Sequence, residues 1–92
     1  MKYVLLGSIA PSWIGKQTER LTKSNAKLKQ LGIKQESVLY TQGQYDFVEI
    51  IYAPGPESVL GFTIWYSSKG FGSIQTLPAF GDRIIRKIIK KG

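Results

Sequence analysis

Two carboxylates and two phenols fall close together in this chain: Tyr40, Tyr45, Asp46 and Glu49. Such groups can hold a hydroxylated or charged small molecule, and a carboxyl group with a shifted pKa can pass protons. The usual partners of such chemistry are missing. The chain contains no histidine and no cysteine. That removes a His base, a Ser-His-Asp triad, a thiol nucleophile, zinc–thiolate and iron–sulfur sites, and haem held by His or Cys. No glycine-rich loop precedes a helix, so neither a P-loop nor a dinucleotide fingerprint is present. What survives is a site without cofactor or metal, built from carboxylate, Tyr, Lys or water, or a site that binds without reacting.

Each candidate also has a structural reading. Gly43 suits a turn position with positive φ. Asp46 can accept hydrogen bonds from turn amides. Tyr45 can place its ring in packing and its hydroxyl on a polar neighbour. Glu49 shares a strand parity with Phe47 and Ile51, an otherwise apolar face. The ordinary place for such a carboxylate is a sheet edge or solvent, because carboxylates are rarely buried unpaired. The alternative is a pocket that raises its pKa. Trp13 and Trp65 read as packing residues.

The elements that must position these groups follow from periodicity. Residues 3–9 form a compact apolar run with β-branched and aromatic residues, a first strand. Pro11-Ser12-Trp13-Ile14-Gly15 reads as a loop. Leu21, Leu28 and Leu31 recur at helical spacing after Thr18, a suitable cap, and Gly32 can end the helix in a left-handed residue. A helix over about residues 19–31 results. Residues 38–41 and 47–52 read as strands joined through Gly43, a hairpin. Pro56 suits the first turn of a helix, and residues 57–69 are assigned to one, although Phe62-Thr63-Ile64-Trp65-Tyr66 has strand propensity. Residues 72–77 alternate with period two and extend toward Phe80 as a fourth strand.

The order is β-α-β-β-α-β, which matches a ferredoxin-like split βαβ arrangement: an α+β fold with a four-stranded antiparallel sheet and two helices on one face. The strand over 47–52 is apolar at both parities, so both of its faces should be covered. Helices cover one, and a second subunit is the simplest cover for the other. Size points the same way. A chain of 92 residues with 42% hydrophobic residues makes one domain, and one so short, with no disulfide or zinc, gains from association.

The net charge of +7 is uneven. Residues 16–34 carry +5, residues 82–92 carry +4, and residues 35–81 carry −3. Ile84, Ile85, Ile88 and Ile89 alternate at helical spacing with Arg83, Arg86, Lys87, Lys90 and Lys91. Residues 81–92 thus form a short basic amphipathic extension, helix or tail. Packing of its isoleucines on a subunit is the leading reading. Arg83, Arg86, Lys87 and Lys90 could also meet nucleic acid or another anion, or the segment could lie on an anionic membrane. The basic residues of the first helix, Arg20 among them, read as a solvated face. The start, Lys2 followed by a short apolar run, reads as a strand rather than a secretion signal. No apolar stretch approaches the roughly 18 residues of a membrane span. The expectation is a cytoplasmic protein, with which the lack of cysteine agrees.

The chain resembles the GYD domain family over residues 3–80. The resemblance is carried by Tyr3-Val4-Leu5-Leu6-Gly7, Arg20-Leu21, Leu31-Gly32 and Tyr40-Thr41-Gln42-Gly43-Gln44-Tyr45-Asp46-Phe47-Val48. It continues through Ala53-Pro54 and Ile74-Gln75-Thr76-Leu77-Pro78-Ala79-Phe80. It implies a ferredoxin-like subunit in a dimeric α+β barrel, two sheets packed face to face, and no particular activity. The hairpin is also similar to that of the effector-binding domain of the Lrp/AsnC regulators. The segment after Phe80 lies outside the resemblance.

Three expectations follow. The first is a small-ligand-binding or stand-alone regulatory homodimer, with a site at the subunit interface that draws on Tyr40, Tyr45, Asp46 and Glu49. The second is a cofactor-free enzyme using Glu49 or Asp46. The third, less favoured, is nucleic-acid binding through the basic segments.

Overall fold

A computed structural model describes residues 1–91. Its elements are β1 (Lys2–Ile9), α1 (Pro11–Ile14), α2 (Gln17–Gln30), β2 (Lys34–Tyr40), β3 (Phe47–Tyr52), α3 (Pro56–Ser68), β4 (Gly72–Ala79) and α4 (Asp82–Lys91). One antiparallel sheet has the order β2-β3-β1-β4. This is the split βαβ topology the element order implied: the two strands that precede helices of the core, β1 and β3, lie in the middle.

The inward sheet face follows strand parity. Tyr3 and Leu5 of β1 and Phe47 and Ile51 of β3 are buried. The helices meet them with Leu28 of α2 and Val59, Phe62 and Tyr66 of α3. Phe71, just after α3, joins them and takes edge-on contacts from Trp13, Trp65 and Tyr66 at 4.4, 5.5 and 5.4 Å. Aromatic side chains thus fill most of the space between helices and sheet.

The other face is uncovered in the single chain. Val4 and Leu6 of β1 stand beside Val48 and Ile50 of β3, with Leu39, Tyr52 and Leu77 exposed around them. β3 therefore has apolar residues on both faces, as its parity pattern required.

The hairpin between β2 and β3 is held by its own polar groups. The Thr41 amide donates to the Asp46 carbonyl at 2.8 Å, and the Thr41 hydroxyl donates to the Tyr45 carbonyl at 2.7 Å. Gly43 has φ 135°, a value that L side chains avoid. Asp46 then ties the hairpin to β1: its amide donates to the Gly7 carbonyl at 2.7 Å, and its carboxylate accepts from the Ile9 amide at 2.6 Å.

Three boundaries differ from the periodicity. Pro11–Ile14, expected as a loop, makes one helical turn. Pro11 starts it, and Trp13 is held between Phe71 and the Arg20 guanidinium, which donates to its carbonyl. α2 starts at Gln17, with Lys16 rather than Thr18 at its N-cap. β2 begins at Lys34, ahead of Val38, because the polar residues of an exposed edge strand hide its alternation. A bulge between Gln35 and Ser37 breaks the alternation further. The basic extension, expected as helix or tail, is helical, and α4 packs no residue into the core. Gly92, the last residue of the expected extension, lies outside the described residues.

Gly7 lies opposite Phe47, and a Cβ at Gly7 would fall within the Phe47 ring. Gly7→Ala should therefore push a buried ring out of its packing and cost about 1–3 kcal/mol. Gly15→Ala, at a negative φ with open space around it, should be near neutral. Thermal unfolding of the two variants checks this, with Gly7→Ala lowering the midpoint by roughly 5–15 °C.

Candidate functional site

α2 turns three side chains at helical spacing toward the sheet: Arg20, Ser24 and Leu28, all buried. Two of the three are polar, which is unusual for the apolar stripe of an amphipathic helix. Opposite them, β2 and β3 present Gln35, Val38, Tyr40, Phe47 and Glu49, and α3 adds Phe62 and Tyr66. These residues enclose a cavity between helices and sheet. It contains about 370 Å³ of empty space counting its mouth, of which about 30 Å³ is wide enough to centre a water. The interior thus admits water-sized groups, and a ring must displace side chains at the mouth, where Tyr40 is 47% exposed.

Glu49 is 5% exposed. The expectation of an edge or solvated carboxylate is therefore corrected. β3 is an inner strand, and the parity that Glu49 shares with Phe47 and Ile51 carries it under the helices. Among the described residues its one side-chain partner is the Gln35 amide, which donates to Oε2 at 2.5 Å. Loss of hydration raises its pKa from 4.5 to about 7, against the opposing pull of the Gln35 hydrogen bond. At neutral pH this carboxyl is divided between its acid and base forms, the condition for passing protons in either direction.

Arg20 is 2% exposed. Its guanidinium donates to the Trp13 carbonyl at 2.9 Å and to the Gln17 side-chain oxygen. These contacts engage part of a fork of five N–H donors. Among the described residues, neither Arg20 nor Glu49 has an ion-pair partner within 4.0 Å. The cavity therefore holds a buried cation whose charge no carboxylate neutralises at contact distance. Tyr66 completes the set. Burial pushes its hydroxyl up to about 12, with Arg20 acting in the opposite direction, so it remains a donor at any ordinary pH. The Tyr66 hydroxyl and the Ser24 hydroxyl are both buried without a hydrogen-bond partner among the described residues. Buried polar atoms are rarely left so, and two of them beside one cavity point to a group that enters it.

Of the residues expected at a site, Tyr40 and Glu49 line this cavity. Tyr45 and Asp46 do not. The Tyr45 hydroxyl bonds the Gln75 side chain of β4, and the Asp46 carboxylate is engaged by the Ile9 amide. Arg83, Arg86, Lys87 and Lys90 are on α4, apart from the cavity. Ser24, Gln35 and Tyr66 carry no signal in the sequence reading, and Arg20 is not among its site residues. Arg20 read as one cation of a solvated face, yet its spacing to Leu28 through Ser24 places it on the buried stripe. Gln35 was hidden by the irregular edge strand. No group of three His, Cys, Asp or Glu that could hold a metal is present among the described residues.

The family described as GYD domain matches residues 3–89, into α4 and past the point where the resemblance read from the motifs ends. No curated protein matches in sequence. A solved structure with a similar fold is 5-chloro-2-hydroxyhydroquinone dehydrochlorinase from Burkholderia phenoliruptrix AC1100 in complex with 2,5-dihydroxybenzoquinone. It superimposes with a TM-score of 0.64 at 14% identity, over 90% of this chain and 97% of that one.

The folded chain holds the Glu49 proton more tightly than an unfolded chain does, so folding takes up a proton between about pH 4.5 and 7. Stability conferred by protonated Glu49 is complete below that window and is lost as pH rises through it, by up to about 3 kcal/mol. Glu49→Gln should remove this loss. In denaturant titrations the variant should match the parent near pH 4 and exceed it at pH 8.

Proposed function

The chain belongs to the GYD domain family, and on that footing we propose that it is a small-molecule module with acid–base capability, its site being the cavity between α2 and the sheet. The observation that supports this most is the grouping in one cavity of Glu49, poised near neutrality, with the uncompensated Arg20 guanidinium and the unpartnered Tyr66 and Ser24 hydroxyls. The ligand class that fits is a small hydroxylated ring or short acid with at least one ionisable oxygen. Its O–H proton passes to a Glu49 carboxylate oxygen. The oxyanion left behind accepts hydrogen bonds from the free N–H groups of Arg20 and from the Tyr66 hydroxyl. Aromatic walls from Phe47, Phe62 and Tyr66 suit a flat ring. The quinone ligand of the structurally similar dehydrochlorinase is of this class, and Tyr40 at the mouth is the side chain that must swing aside for it.

The cavity lies on the helix side of the sheet, whereas the motif reading placed a site between two sheets. The open face has another use in this proposal: a second copy covers Val4, Leu6, Val48 and Ile50, and the protein is a homodimer. Tyr45 and Gln75 border that face.

Amide chemical shifts recorded while 2,5-dihydroxybenzoquinone or catechol is titrated in test the site. Changes should centre on Arg20, Ser24, Gln35, Glu49 and Tyr66, and Glu49→Gln should weaken binding roughly tenfold or more if proton transfer accompanies it. Shifts confined to the outer sheet face, or none, defeat the proposal. Light scattering should separately return twice the 10.3 kDa chain mass, and Val48→Asp should return the chain mass with the cavity intact.

A further inference from the structure

α4 lies apart from the body of the protein. None of its residues is buried, and it makes no extended packing with any other element. The radius of gyration, 14.6 Å, exceeds the about 12 Å of a compact chain of this length. At 100° per residue, Ile84, Ile85, Ile88 and Ile89 fall within an arc of about 140°, and Arg83, Arg86, Lys87, Lys90 and Lys91 fill the opposite side. The isoleucines are 43%, 47%, 62% and 72% exposed. Phe80, at the junction with β4, is 61% exposed. Asp82 is the one acid of the helix, and it is paired with Arg86 at 2.6 Å.

We infer that α4 is a docking helix for an anionic lipid surface, lying in its plane with the isoleucines and Phe80 among the acyl chains and the basic side chains at the headgroups. Charge complementarity selects this occupant over a second copy of the chain. The acids a second copy offers are already engaged: Glu19 by Lys23, Glu36 by Lys2, Asp46 by the Ile9 amide and Asp82 by Arg86, while Glu49 is buried. Only Glu57 is exposed without such a partner among the described residues. The open sheet face of a second copy also carries Lys34, the same sign as α4. A nucleic acid would satisfy the cations but give the apolar stripe nothing to bury against. An anionic membrane meets both faces, and the segregation of the two arcs is that of an interfacial helix. No helix of the described chain is long and apolar enough to cross a membrane, so the mode is surface attachment.

Co-sedimentation of the full chain with vesicles of phosphatidylcholine, alone and with phosphatidylglycerol, tests this. Binding should require the anionic lipid and weaken as salt is raised. Lys87→Gln with Lys90→Gln should reduce it roughly tenfold or more. Ile88→Asp with Ile89→Asp should abolish it, while thermal unfolding and oligomer mass stay those of the parent, since α4 buries no residue in the core and, on this inference, gives its isoleucines to lipid rather than to a second subunit. The inference is overturned if the anionic vesicles leave the protein in the supernatant, if the isoleucine variant binds as well as the parent, or if that variant changes the oligomer mass.

Discussion

Three constraints converge on the last residues of β1, and the rest of the sheet takes its register from them. The Gly7 carbonyl accepts from the Asp46 amide, and the Ile9 amide donates to the Asp46 carboxylate. Between these bonds, the absence of a side chain at Gly7 leaves room for the Phe47 ring. On the other side of β1, Gly72 of β4 comes so near the Ser8 carbonyl that a Cβ there would collide with it, and its φ of 149° excludes other residues independently. A strand can slip by one residue only if all its side chains change faces. Here a slip would also break a carboxylate–amide bond and drive a ring into a backbone. The motif that names the family is thus first a clamp on register.

That register decides which face of β3 lines the cavity. Phe47, Glu49 and Ile51 go under the helices, and the burial that stabilises Phe47 and Ile51 is imposed on Glu49 as well. A protonated glutamic acid and a hydrogen-bonded guanidinium are tolerable inside a domain, but each costs desolvation that an apolar residue would avoid. α2 repeats the pattern with Arg20 and Ser24 where Leu would pack more favourably. Polar groups concentrated at one point of an otherwise aromatic core are what a site requires and what packing alone disfavours.

Much of the fold was legible because it rests on local rules. Parity made β3 apolar on both faces, Pro56 and Gly70 bounded α3, and Gly43 marked the hairpin. Glu49 was legible as a residue of interest, since a carboxylate on an apolar parity is conspicuous. Its burial was not, because that depends on β3 being an inner strand, a property of pairing between distant segments. Arg20 was hidden for a different reason. In a segment with this many lysines one more cation reads as surface, and only the Arg20-Ser24-Leu28 spacing distinguishes it. Gln35 sat in an edge strand whose bulge breaks the period that would have announced it.

The same reasoning separates the two carboxylates that stand three apart in the chain. Asp46 sits in the bend just ahead of β3, whereas Glu49 is on the strand, where alternation sends it to the helix side. Asp46 reaches across to a backbone amide of β1, while Glu49 points into the cavity. Asp46 and Glu49 are therefore not an acid–base pair, however close they stand in sequence. The neighbours of Glu49 in the cavity come from other elements: a guanidinium from α2, a phenol from α3 and an amide from β2. The hairpin contributes by fixing where β3 begins, so its influence on the cavity passes through register rather than contact.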